Sequence, residues 1–220
     1  MLRTKLSQRT LPRYSRGEEI MNMLTHVAGG VFAMAALVLC LLKAKSPPAL
    51  FGAAVYGASM LILYVISSVY HGLKPTTAKK VFQVLDHCAV YVLIAGTYTP
   101  ILLVKFVPAA PAVGWGLLTA QWGLCALSMT LTAIDLKRFR VISMIAYILM
   151  GWCIIFFLPL TLSILGQPAF MLLLWGGIAY TLGAIIYGIG VHVPWMHSVF
   201  HLFVLAGSVF QFLSVYLYVL

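Results

Sequence analysis

Residues 141–220 read VISMIAYILMGWCIIFFLPLTLSILGQPAFMLLLWGGIAYTLGAIIYGIGVHVPWMHSVFHLFVLAGSVFQFLSVYLYVL, with no Asp, Glu, Lys or Arg among them. An 80-residue stretch without a formal charge cannot clothe a water-facing surface and reads as a polytopic membrane segment. The rest of the chain agrees. Of its 220 residues, 63% are hydrophobic and 8% charged, where a soluble domain carries roughly a quarter charged residues. Mean hydropathy is +1.04. This composition excludes a soluble enzyme, a disordered tail and a nucleic-acid binder, in spite of a net charge of +10.

Charge, Pro and Gly divide the chain. Residues 1–19 hold Arg3, Lys5, Arg9, Arg13 and Arg16 and read as a basic juxtamembrane tail. The apolar run after them is too long for a signal-peptide core. The breaks then predict seven spans: 20–42, 49–72, 83–104, 112–134, 141–163, 168–190 and 195–219. Pro159 is expected to kink or end the fifth, and Pro194 to open the seventh. The expected fold is an all-α bundle of seven transmembrane helices over residues 20–220, with no internal repeat. Lys and Arg in the short loops set the direction. With the N-terminus inside, 11 of them face the cytoplasm and 3 face outward. The N-terminus is therefore expected in the cytoplasm and the C-terminus outside, in the inner (plasma) membrane.

Ionisable groups inside a membrane are expensive, so each needs a reason. Glu18, Glu19, Asn22 and His26 open span 1, Ser67 and His71 close span 2, Asp86 and His87 open span 3, and His192, His197 and His201 open span 7. Alternating span direction puts all of these at one end of the bundle. His197 and His201 are i and i+4, so both rings leave one helical face. Ser67 and His71 share that spacing. The face of His197 and His201 continues through Ser208 and Gln211, which suggests a polar-lined cavity. Three histidines from two helices, with a carboxylate from a third, suit a catalytic zinc centre with a position left for water. Zinc lowers the pKa of such a water to about 7, and Asp86 can hold it and take its proton.

Plainer readings apply to the neighbours. His26 can simply hydrogen-bond an adjacent helix. His87 follows Asp86 by one position, about 100° round the helix, which suits an interface. Glu18 and Glu19 can favour the helix dipole, and His192 reads as a solvated loop residue. Cys40, Cys88, Cys125 and Cys153 read as buried free thiols, with Cys88 a minor rival ligand.

The run Glu19-x-x-Asn22-x-x-x-His26, then Ser67-x-x-x-His71, then Asp86-His87 with Ala95-Gly96-Thr97-Tyr98-Thr99-Pro100, then His197-x-x-x-His201 resembles the bacterial hemolysin III family. That family is similar to the progestin and adipoQ receptors, which include the adiponectin receptors, and to the alkaline ceramidases. The resemblance implies zinc on His71, His197 and His201, with Asp86 hydrogen-bonding its water and Ser67 beside the site. It also implies a metal-dependent hydrolase, acting on an amide or ester of a membrane lipid. The same sequence suits a sensor of membrane state with a structural zinc. A haemolytic pore is disfavoured, because a pore needs a polar path through the whole membrane thickness.

Overall fold

Pro and hydroxyl residues set the helix starts. Ser15 caps the first helix, accepting from the Glu18 N–H, while the Glu18 carboxylate accepts from the Ser15 N–H at 2.8 Å. This reciprocal box starts the helix before the apolar run begins. Ser46 caps the second helix ahead of Pro47-Pro48, and Thr76 caps the third. In the computed structural model, which describes Thr4, residues 6–190 and residues 193–220, seven helices are long and apolar enough to cross a membrane. They are α1 (Arg16–Lys43), α2 (Pro47–Gly72), α3 (Thr77–Ala109), α4 (Pro111–Ile134), α5 (Arg140–Leu165), α6 (Gln167–Ile189) and α7 (Met196–Val219). The described residues contain no strand. The chain is an all-helical, multi-pass membrane protein. His192, expected in a solvated loop, lies outside the described residues.

The expected spans and the observed ones differ mostly at their starts. The Ser15 cap begins α1 at Arg16, not Ile20, and the Thr76 cap begins α3 at Thr77, not Gln83. Lys79 and Lys80 therefore lie in the first turn of α3, not in a loop. In α5, a 3-10 segment, Cys153–Phe157, precedes Pro159, and the helix resumes at Leu158. Proline cannot donate to the turn before it. Side chains satisfy carbonyls near the break: Tyr98 donates to Gly151 O at 2.7 Å and Gln121 to Met150 O at 2.8 Å.

The bundle is apolar outside and mixed inside. Val31, Leu42 and Phe156 are 70–76% exposed, a surface suited to acyl chains. Asn22, His26, Ser67 and His71 are buried. Helix α1 packs on α2, α2 on α3, α3 on α4, and α6 on α7, while α1 also meets α7. That last contact brings the first and last spans together. Small residues allow the close approaches. A Cβ on Gly96 of α3 would lie 2.1 Å from Ser59 Oγ of α2. Gly96→Ala is expected to destabilise the bundle by about 1–3 kcal/mol through overpacking. Gly116→Ala, where a Cβ meets nothing within 4 Å, is expected to be neutral or slightly stabilising. Thermal melting in detergent compares the two.

Candidate metal centre

Four helices, α1, α2, α3 and α7, bring polar side chains to the end of the bundle that carries the N-terminus. His71 comes from the last turn of α2, and His197 and His201 from the first turns of α7. All three are buried. His197 Nε2 lies 3.3 Å from His71 Nε2 and 3.1 Å from His201 Nε2. One ligand atom from each of the three residues falls within 4.8 Å of the others, and the group could hold a metal ion.

The hydrogen bonds on the far side of each ring decide what these nitrogens offer. His71 Nδ1 lies 2.8 Å from the Glu19 carboxylate, which can only accept, so the proton sits on Nδ1. His201 Nδ1 lies 3.1 Å from the Asn22 carbonyl oxygen, which fixes the same tautomer. Both rings therefore present a bare Nε2 lone pair to His197 Nε2. A single proton on His197 Nε2 can satisfy one of them, and the other lone pair then faces that nitrogen without a donor of its own. A cation removes that conflict. The spacing also fits one, since two imidazole nitrogens held tetrahedrally at about 2.0–2.1 Å from zinc lie roughly 3.3–3.4 Å apart.

Glu19 does more than face a helix dipole. Its second oxygen accepts from Lys79 Nζ at 2.6 Å. Lys79 is only 2% exposed and also donates to Leu73 O at 3.0 Å. Read in sequence as one of the charges that orient the chain, Lys79 is a buried partner of the carboxylate that orients His71. Asn22 belongs to the same network, accepting from Ser198 at 2.6 Å through its side chain. Glu18 ties the start of α1 to the start of α7, because it accepts the Trp195 N–H at 2.7 Å. Trp195 has φ +68°, in the left-handed region, which costs a bulky residue roughly 1–2 kcal/mol. The Glu18 bond holds this turn, two residues before His197.

A cavity of about 220 Å³ opens beside the histidines. Asp86, Ser67, His26 and His87 line it together with His197 and His201. The Ser67 hydroxyl and both ring nitrogens of His26 are buried without a hydrogen-bond partner among the described residues. His26 therefore does not bond a neighbouring helix as its plain reading had it. Its ring stacks on His201, with centroids 3.6 Å apart, and stands edge-on to Tyr64. His87 faces the cavity too, although one position separates it from Asp86. Its Nδ1 donates to Gln83 O at 2.9 Å, and Tyr187 OH lies 3.5 Å from its Nε2.

Two further expectations change. The cavity follows α7 as far as Gln211, but its remaining walls are mainly apolar, such as Leu93, Ile154 and Leu173. Ser208 is absorbed by the hydroxyls of Tyr64 and Tyr180, at 2.8 and 2.9 Å, because a hydroxyl in an apolar interior takes its partners from neighbours. Cys88 turns away from the histidines and donates to Met129 O at 3.8 Å. All four cysteines are free.

Tyr14, which the sequence did not single out, lines the cavity as well. Its ring stacks on His197 at 5.0 Å and lies 5.9 Å from His71. Burial, then the neighbouring Tyr187, Glu19, Asp86 and Glu18, push its phenol well above the usual value, so it stays protonated.

A family model described as Haemolysin-III related matches residues 14–212. The chain is 39% identical over 207 residues to Hemolysin-3 of Bacillus cereus, covering 92% of each chain. It is 36% identical over 208 residues to the Hemolysin-3 homolog of Bacillus subtilis (strain 168), covering 91% of this chain and 94% of the relative. A more distant similarity, 24% over 172 residues, is to the monocyte to macrophage differentiation factor of Homo sapiens, covering 74% and 68%.

Proposed function

The chain belongs to the haemolysin-III-related family, and from that premise we propose that it is a zinc-dependent membrane hydrolase of a lipid amide or ester. The observation that carries this reading is the convergence of three imidazole Nε2 atoms beside a cavity lined by His197, His201, Asp86 and Ser67, whose hydroxyl has no partner among the described residues. On the orientation proposed from the basic residues, this end of the bundle faces the cytoplasm.

His71, His197 and His201 would hold the ion. Zinc supplies a Lewis acid that polarises a carbonyl and makes water acidic near neutral pH. The chain's own groups do the rest. The Asp86 carboxylate takes a proton from the attacking water and returns it to the leaving group. Ser67 Oγ donates to the oxygen on which charge develops. The apolar walls between α3, α5 and α6 receive an acyl chain and keep bulk water out. Glu19 keeps His71 in the tautomer that binds metal. The name of the Bacillus relatives speaks of haemolysis, but a pore needs polar lining across the membrane, and these walls turn apolar away from the histidines.

Elemental analysis of the purified protein followed by a screen of N-acyl and ester lipids for fatty-acid release tests this reading. About one zinc per chain, with turnover lost on metal removal and restored by zinc, is expected. Full metal without turnover on either class would transfer the site to a membrane-state sensor. A finer prediction concerns Glu19→Gln. The amide can neither hold Lys79 as an ion partner nor charge-assist His71. Zinc affinity is expected to fall about 10–100-fold, as for other carboxylate–histidine pairs. Competition with a chelator measures it, and unchanged affinity would remove Glu19 from the centre.

A further inference from the structure

The described part of the N-terminal segment does not trail away from the bundle. It crosses the bundle end from α4 to α1. At one side the Thr4 N–H donates to Asp135 Oδ2 at 3.1 Å. The Arg9 guanidinium donates to Ala133 O at 3.2 Å and Ile134 O at 3.1 Å. These are last-turn carbonyls of α4, which have no intrahelical donor. At the other side Ser15 is bonded into the start of α1. The Asp135 carboxyl is held down at about 2 by the Thr4 hydroxyl and the Arg138 and Thr4 N–H groups. Its contribution to docking is therefore complete above the ordinary carboxylate value and is lost only as pH falls through about 2.

Between these ties the segment lies against the cavity. Pro12 and Tyr14, with Leu136 from the α4–α5 turn, are the lining residues that come from outside the seven helices. The Tyr14 ring is stacked on His197 and also near His71. Residues of α1, α2 and α7 contact the histidines, and the half-buried Tyr14 ring, from outside the seven helices, lies against two of them.

We propose that residues 6–15 are a strap across the metal centre and that Tyr14 is its plug, a specificity-determining residue that closes the histidines to water-soluble ligands and leaves the apolar cavity as their approach. The identity of the shielded ion rests on the zinc reading; the closure itself does not. The part that acts is the ring and not the hydroxyl, since the contact with His197 is a stack. A ligand with an apolar chain, delivered from the bilayer, therefore reaches the site, and a small charged molecule in the aqueous phase does not.

The test compares two routes to the same ion. Pyridine-2,6-dicarboxylate is charged and arrives through water, whereas 1,10-phenanthroline partitions into the bilayer. In zinc-loaded protein in lipid vesicles, Tyr14→Ala is expected to speed metal loss to the dicarboxylate by about tenfold or more, because the closed state is no longer favoured. Loss to phenanthroline is expected to change less than about threefold. Tyr14→Phe should behave as wild type with both. A second arm needs no metal. Val90, which lines the cavity, is replaced by Cys, and a charged methanethiosulfonate is added from each face of the vesicle in turn. The parent chain gives the baseline from its native thiols. Tyr14→Ala is expected to speed labelling of Val90→Cys about tenfold from the face that carries the N-terminus. Faster labelling in protein that binds no zinc would keep the strap and overturn the zinc reading. Zinc-bound protein in which neither the dicarboxylate rate nor the labelling rate moves would overturn the strap.

Discussion

A chain with alanine at His71, His197 and His201 together is expected to purify with essentially no zinc, against about one ion per wild-type chain. This is the largest effect the geometry implies, because the three Nε2 atoms are the donors that converge. Each single replacement should remove most of the metal as well. Two imidazoles alone leave the ion short of the three protein ligands of a catalytic zinc site. Among the singles, His197→Ala is the most telling. Its Nε2 lies within 3.3 Å of both other rings, so its loss opens the centre of the cluster. His26→Ala is the matched control. His26 is equally buried and stacks on His201, yet it contributes no atom to the cluster. It is expected to keep its zinc. Elemental analysis after gel filtration reads all of these. Full zinc in the triple variant would move the metal elsewhere or remove it from the protein, and zinc loss in His26→Ala alone would make the stack a part of the centre.

Much of this arrangement was legible because membrane insertion leaves few choices. Seven apolar runs separated by Pro and charge become seven helices, since no other element satisfies its backbone in lipid without closing a barrel. Helix direction and i, i+4 spacing placed His71 at the same end as His197 and His201, and the family resemblance singled it out from the other histidines there. What escaped the sequence were the contacts set by tertiary packing. Lys79 looked like one more topogenic charge, but its burial beside Glu19 depends on how α3 sits against α1. Glu19 shares the first turn with Glu18, and a helix-dipole role served both equally well on paper. In the fold Glu18 reaches Trp195 and Glu19 reaches His71. The face of α7 that holds the histidines does continue through Ser208, but periodicity could not tell that two tyrosines from α2 and α6 would occupy it. Tyr14 was the furthest from reach. A basic tail carries no periodic signal, and only its return across the bundle end puts an aromatic ring over the histidines.

Asp86→Asn is expected to leave zinc in place and to lower hydrolysis by roughly 10²–10⁴, the usual worth of a general base. The substitution keeps the size of the side chain and a carbonyl oxygen, and removes the basic one. Asp86 is half-buried on the cavity wall, and it stands outside the group of residues whose ligand atoms converge. That placement separates two roles with different signatures. A proton carrier loses turnover at constant metal content, whereas a ligand loses both. Ser67→Ala should be milder. Its hydroxyl is buried with no partner among the described residues, so removing it leaves no orphaned donor among them, and a single neutral hydrogen bond contributes only about 0.5–1.5 kcal/mol. Zinc content and turnover on the lipid found in the screen, measured on the same preparations, read both variants. A fall in zinc for Asp86→Asn would move the carboxylate into the coordination set. Full zinc with unchanged turnover would take Asp86 out of the proton path. The carboxylate would then serve only to place charge at the histidine end of α3, and the metal centre would be better suited to sensing the membrane than to hydrolysing its lipids.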